Sequence, residues 1–151
     1  MSSSQSSQVI FVEANKLRKN DLVLLRDKVA RVKDLRVSVQ GKHGSAKVVI
    51  VAYSIDKQQK RIEQTFGSHD HVTAPVPVRY DADVIAVNGS TVTVFDTATK
   101  STHDRLELDD DIDLHRDIAE RVANGEELVL DVLAVHGTEK IMSIRRRKDD
   151  E

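Results

Sequence analysis

Residues 41–44, Gly-Lys-His-Gly, hold a primary amine and an imidazole between two glycines, within the longer run GKHGSAK at 41–47. A lysine ammonium so presented can pair with phosphate or accept a covalent extension, whereas a plain turn would use it only for solubility. The pattern of a phosphate-binding loop, G-x-x-x-x-G-K-[ST], is not met. His43 follows the lysine where Ser or Thr is needed, and no helix opens there to offer its N-terminus. Two other groupings carry ligand-type side chains. His69 and His71 have i, i+2 spacing, but the chain has no cysteine and no third ligand stands near. Asp109, Asp111, Asp113 and Glu120 imitate a calcium loop, yet Leu114 sits where the sharp turn needs glycine. Acidic residues at the start of a helix explain that run better. No metal site is expected.

The elements that must carry Lys42 are β-strands. Segment 21–25 (DLVLL) is short and apolar, and 28–39 (KVARVKDLRVSV) alternates imperfectly, with Val29, Val32, Leu35, Val37 and Val39 as inward candidates. Segment 47–54 (KVVIVAYS) is rich in β-branched residues, and 61–66 returns after a turn at 55–60. Residues 40–45 therefore form a hairpin tip, where Gly41 and Gly44 permit backbone shapes that a Cβ resists and Lys42 projects into solvent. Segment 73–79 (TAPVPVR) has prolines at alternate positions, as expected of a stiff connector or a sheet edge, and marks a domain boundary. Beyond it, 81–87 and 91–95 flank Asn88-Gly89-Ser90, a hairpin signal. A strand is expected over 102–108. Leu114, Ile118 and Val122 then switch to helical spacing, with Asp113 as N-cap and Asn124-Gly125 as the stop. Strands over 127–136 and 141–144, turning at Gly137-Thr138-Glu139, complete an order of three strands, a helix and two strands, that of an OB-type barrel.

Charge divides along the same line. Residues 1–77 carry 13 Lys and Arg against 7 Asp and Glu, net +6, and residues 78–151 carry 10 against 18, net −8. A basic half facing a polyanion would be steered toward it over long range. Arg31, Lys33, Arg36, His43 and Lys47, on or beside the hairpin, are the candidate RNA contacts; they would supply affinity and salt dependence, not sequence readout. Aromatic residues are 3% of the chain, so base stacking on the second barrel, by Tyr80 and Phe95, is poorly supported. The basic run RRRK at 145–148 has no assigned role. The N-terminal MSSSQSSQ lacks the features of a secretory leader and is expected to be a disordered tail, and no apolar run is long enough to span a bilayer. Without cysteines a reducing compartment is allowed, and cytoplasm is the expected location.

Over about residues 15–147 the chain resembles the eukaryotic and archaeal translation factor 5A family, relatives of bacterial elongation factor P. The resemblance rests on LRKND at 17–21, GKHGSAK at 41–47, the proline hinge, and NGEELVLDVL at 124–133 after the acidic helix. It implies an all-β chain with one short helix: a tail (1–8), an SH3-like domain carrying the loop (9–76), an OB-fold domain (77–147) and a tail (148–151). It also implies that Lys42 becomes hypusine, through an aminobutyl group from spermidine attached by deoxyhypusine synthase and hydroxylated by deoxyhypusine hydroxylase. Gly41, His43, Gly44, Ser45, Ala46 and Lys47 would form the modification loop. Such a factor is not an enzyme and carries no catalytic residue or cofactor. Its partners would be the ribosomal exit-site region and peptidyl-tRNA, where it would promote peptide bonds at stalled proline-rich sites and assist termination, with no membrane involved. Ser45, where typical eukaryotic members carry His, and the Val39-Gln40 pair depart from the usual loop. The alternative is a stand-alone RNA-binding or assembly module with Lys42 unmodified.

Overall fold

The computed structural model describes residues 8–39 and 46–148. The chain divides into two compact units, one ending at Val76 and the next beginning at Pro77.

In the first unit, β1 (Val9–Glu13) leads through a 3-10 turn (Ala14–Lys16) to β2 (Leu22–Leu25), β3 (Lys28–Val39), β4 (Ala46–Ser54), β5 (Arg61–Gly67) and β6 (His71–Pro75). Strands β2-β3-β4-β5 form an antiparallel sheet, and β1 pairs with β6. Together they make an SH3-like half-barrel around Val23, Leu25, Ala30, Val32, Val48, Ile50, Ala52, Ile62 and Val72, all buried. Asp21 stands just outside β2, where its carboxylate accepts the Arg18 N–H at 2.9 Å and closes the preceding turn. Of the two readings of 73–79, connector or sheet edge, Thr73–Pro75 take the edge, and only Val76 and Pro77 lie outside strands. Thr73, Ala74 and Pro75 end β6 opposite Phe11, Ile10 and Val9, and Val78 already opens the next unit's first strand. Proline is tolerated here because Pro75 ends a strand, where a missing donor breaks no continuing ladder.

The inward reading of β3 holds for its first half only. Val29 and Val32 are buried and Leu35 is packed against the core, but Val37 and Val39 are 64% and 71% exposed. A β-bulge explains the imperfect alternation: Val32 pairs with Ala52 and Asp34 with Val51, leaving Lys33 as the extra residue. The bulge shifts the inward phase from 30 and 32 to 35. Val37 keeps the inward phase opposite buried Val48, yet its own side chain is exposed, and Val39 follows one step further out opposite Ala46.

In the second unit, β7 (Val78–Asn88), β8 (Thr91–Asp96) and β9 (Ser101–Glu107) precede α1 (Asp113–Ala123), followed by β10 (Leu128–Val135) and β11 (Thr138–Arg146). The sheet order is β11-β10-β7-β8-β9, an OB fold. Asn88 pairs with Thr91, so the connecting turn is Gly89-Ser90, with Gly89 in the left-handed region at φ 62°. The last hairpin turns at His136-Gly137, at φ 45° and 82°, not at Gly137-Thr138-Glu139. The N-cap of α1 is Ile112, and Asp113 is its first-turn residue, favourable to the helix dipole without capping it. The helix stops as its sequence requires. Gly125 at φ 86° donates to the Val122 carbonyl and Glu126 to that of Arg121, the paired bonds of a Schellman motif. Leu114, Ile118 and Val122 face a core built from Ala82, Val92, Val94, Leu106, Leu128, Leu130 and Val132. Register shifts at Ile85 and Met142 bend this sheet toward a barrel and leave both side chains exposed.

Candidate functional site

The β3–β4 ladder is continuous from Ala30–Ser54 to Val39–Ala46 apart from the bulge, and the six residues 40–45 connect its far end. Gly41, Lys42, His43, Gly44 and Ser45 lie outside the described residues. Ala46 and Lys47 open β4. The Ala46 carbonyl accepts the Ser68 N–H at 2.9 Å, and Lys47 pairs across to Ser38 on one side and Gly67 on the other. Gly67 fits closely there. A Cβ at this position would lie 3.0 Å from the Asp70 carboxylate, whose Oδ2 accepts the Gly67 N–H at 2.8 Å. The strand end beside Lys47 is thus clamped by the β5–β6 turn.

Cross-strand partners share a face, so the register decides which cations assemble. The outer face carries Arg31, Asp34, Arg36 and Ser38 from β3, Lys47, Val49, Val51 and Tyr53 from β4, and Arg61, Glu63 and Thr65 from β5. Arg31, Arg36 and Lys47 are therefore brought onto one surface. Lys33, as the bulge residue, has no cross-strand partner; it is exposed and unpaired among the described residues. Lys47 is likewise exposed and unpaired among them. Arg31 donates to the Asn20 carbonyl at 2.9 Å, which orients the guanidinium without neutralising it.

Arg36 differs. It stands 3.5 Å from Glu63 and 3.8 Å from Asp34, and Glu63 also holds Arg61 at 2.9 Å. Glu63 is a hub of negative charge within the basic face, and sequence reading missed it. Its strand alternation places it outward, but only the pairing of β5 with β4, two strands from Arg36, reveals which cations it meets. Among the residues of the RRRK run, Arg145 pairs with Asp81 at 3.1 Å and Arg146 with Glu126 at 3.4 Å, so both are tied into the second unit. His69 holds Glu13 at 2.9 Å, and His71 lies against the ring of Phe11. The two histidines thus diverge to separate partners.

Two family models match the chain. Residues 7–69 match the N-terminal domain described as translation initiation factor 5A-like. Residues 78–145 match the domain described as eukaryotic elongation factor 5A hypusine, DNA-binding OB fold. The chain belongs to the translation factor 5A family. Among curated relatives, eukaryotic translation initiation factor 5A-2 of Medicago sativa is 29% identical over 133 residues, covering 88% of this chain and 83% of the relative. Initiation factor 5A-1 of Arabidopsis thaliana is 28% identical over 144 residues, covering 95% and 90%. A solved structure of a translation initiation factor 5A family protein from Naegleria fowleri superposes with a TM-score of 0.77 at 26% identity, covering 92% of this chain and 99% of that one. The Methanococcus jannaschii factor, at 22% identity and a TM-score of 0.72, shares the fold over 90% of this chain and 96% of its own. The chain is a translation factor by family.

Proposed function

We propose that this factor binds the ribosome and acts through hypusine at Lys42 beside the acceptor end of peptidyl-tRNA, promoting peptide bond formation at stalled proline-rich sites and assisting termination. The supporting observation is the β3–β4 ladder. It extends past the core to the Val39–Ala46 pair, immediately before and after the Gly41 to Ser45 stretch that carries the family's modification sequence. β5 braces the β4 side of this ladder as far as the Lys47–Gly67 pair, whereas β2 reaches only to Arg31 of β3.

The chemistry follows from reach and charge. Lysine is one strongly hydrated ammonium on a four-carbon stem. An added aminobutyl group places a second amine farther out, and alkylamines of this kind stay protonated at neutral pH. Such an arm would orient the tRNA end through electrostatics, lowering the entropic cost of aligning reactants that the ribosome already holds. Arg31, Lys33 and Lys47 would contact phosphates behind it; Arg36 would do so by exchanging Glu63 for phosphate. The residues from Gly41 to Lys47 would be read by deoxyhypusine synthase, which takes the aminobutyl group from spermidine, and then by deoxyhypusine hydroxylase. The factor itself would supply no nucleophile and need no cofactor, and the cytoplasm would be its place of action.

Mass spectrometry on protein isolated from its native cell tests this directly. An aminobutyl-type addition at Lys42 is expected, and Lys42→Arg should leave folding unchanged while abolishing relief of stalling on proline-rich messages. Bare Lys42 in native protein, with undiminished RNA binding through the basic face, would favour the stand-alone RNA-binding module instead.

A further inference from the structure

Strand β1 has a ladder on one side only: it pairs with β6, and no other described strand joins that sheet. Its two ends fix the phase of its hydrogen bonds. Val76 donates its N–H to the Gln8 carbonyl at 2.9 Å, and Ala14 donates to that of Asp70 at 2.9 Å. Bonded and unbonded pairs alternate in an antiparallel ladder, so Ile10 opposite Ala74 and Val12 opposite Val72 are the bonded pairs between those ends. The N–H and C=O groups of Val9 and Phe11 therefore point away from β6. Pro75, which has no N–H to offer, stands opposite Val9 in keeping with that phase. Among the described residues nothing bonds the Val9 or Phe11 main chain on the open side.

The side chains along this edge are apolar and uncovered. Ile10 is 53% and Phe11 67% exposed. They stand on opposite faces of the strand: Phe11 lies against the ring of His71, and Ile10 shares the face from which Val12 packs on the core. Soluble proteins ordinarily blunt a free edge with lysine, proline or a bulge. None of these occurs in β1, where residues 9–12 are Val, Ile, Phe and Val in unbroken register. Its one charged residue, Glu13, closes the strand and is already engaged by His69 at 2.9 Å and Lys16 at 3.6 Å.

Open backbone groups specify an extended strand as their complement, and apolar neighbours specify its side chains. β1 itself meets both requirements. A two-fold axis at Ile10 sets Val9 against Phe11 of the second copy and Phe11 against its Val9, so that the outward groups on both copies bond reciprocally. Ile10 then faces Ile10 of the second copy in an unbonded pair, with Cα atoms about 4.5 Å apart. Glu13 falls beyond these apolar pairs. An axis at Phe11 would instead set the Glu13 carboxylate against Val9.

We propose that the open edge of β1 is a self-association surface: two copies of this chain pair their β1 strands antiparallel about Ile10, merging the β6-β1 sheets of both into one. The contact is a short strand with two exposed apolar side chains per copy, less than the roughly 1,200 Å² that a stable complex buries. The dimer is therefore reversible, with a dissociation constant on the order of 100 μM.

The test uses the full chain. Sedimentation equilibrium from about 10 μM to about 1 mM should show monomer passing to dimer. Amide exchange at Val9 and Phe11 should slow about fourfold over that range, while Gly89 and Ser90, at an exposed turn elsewhere, keep their rates. Phe11→Lys charges the edge at an exposed position and should hold the chain monomeric with its fold intact. The chain has no cysteine, so Ile10→Cys places a lone thiol at the axis, within disulfide reach of its copy. Mild oxidation should link that variant about tenfold faster than Val37→Cys, whose site is at least as exposed. A monomer throughout the range, a dimer that leaves the Val9 and Phe11 amides fast or survives Phe11→Lys, or equal cross-linking of the two cysteine variants would overturn the proposal. Should Phe11→Lys fail to fold, exchange in the unaltered chain and the cross-linking comparison decide.

Discussion

Glu63→Gln is the most direct probe of the outer face of the first unit. The Glu63 carboxylate lies 3.5 Å from Arg36 Nη2 and 2.9 Å from Arg61 Nη2, and the three side chains are 45%, 59% and 52% exposed. Unit charges 3.5 Å apart attract by about 1.2 kcal/mol in a water-like dielectric and by about 5 kcal/mol at an effective dielectric of 20. With half of each side chain in solvent, the net value per pair falls to roughly 0.2–1 kcal/mol. A phosphate that displaces Glu63 must overcome that amount at each arginine. Removing the charge should therefore tighten binding to a polyanion by up to about fivefold per arginine engaged. It should also add one net phosphate contact, steepening the dependence of log K on log salt by about 0.7–0.9. Folding should lose what the two pairs contribute, roughly 0.4–2 kcal/mol in all. The assay is a salt titration of binding to purified ribosomes, with Arg36→Gln as the opposing control, expected to weaken binding and flatten the slope. If Glu63→Gln left both affinity and slope where they were, the outer face of β3, β4 and β5 would not be the surface that meets RNA.

Ile118→Ala removes three carbons from a fully buried side chain that packs α1 onto the barrel. The transfer cost is about 2.4 kcal/mol, and the cavity left behind brings the total to roughly 3–4 kcal/mol, measurable by urea denaturation of the full chain followed through its helical signal. Glu120→Ala, on the exposed side of the same helix, should stay within about 0.5 kcal/mol; equal losses in the two variants would mean that the helix is not docked through Ile118. Acid should destabilise the chain in two stages. His115, whose Nδ1 accepts the Asp109 N–H at 2.8 Å, is held below the usual 6.5 chiefly by burial, as is His103. Below pH 6.5 the unfolded chain binds protons that the folded chain refuses, so this part of the stability is complete above 6.5 and falls with pH until the folded rings titrate. Glu13, Asp56, Glu126 and Asp131 are held below their usual values mainly by hydrogen bonds from His69, Ser54, Arg121 and Arg79 respectively, so their contribution is lost only below pH 4.5 for Glu and 3.8 for Asp. Thermal midpoints measured across that range should show both stages; a flat profile between pH 7 and 5 would contradict the histidine assignment.

Much of the fold is legible in the chain because its signals are local. Gly125 could stop α1 without help from distant residues, since a left-handed residue needs only the absence of a Cβ, and Leu114, Ile118 and Val122 state the period of the helix themselves. The Gly-Lys-His-Gly run likewise carried the family resemblance without any knowledge of packing. Other features depended on partners far along the chain. Lys33 becomes a bulge only because consecutive residues of β4, Val51 and Ala52, pair with Asp34 and Val32 and leave it no partner, which reverses the phase of Leu35. Val37 and Val39 look like core residues by type and alternation, yet both are exposed, even though Val48, directly opposite Val37, is buried. The same dependence governs charge. A count of residues makes the first half basic, but Glu63, brought beside Arg36 and Arg61 by the pairing of β5 with β4, decides which of those charges are free. Tyr80, His103, Arg105 and Glu139 span 60 positions and meet only when the two outer strands of the sheet come round to each other. Hydrophobic period and turn chemistry act between near neighbours, so sequence alone determined the elements and the candidate lysine. Register, exposure and ion pairing couple distant strands, so tertiary structure alone decided the surfaces and which charged groups meet.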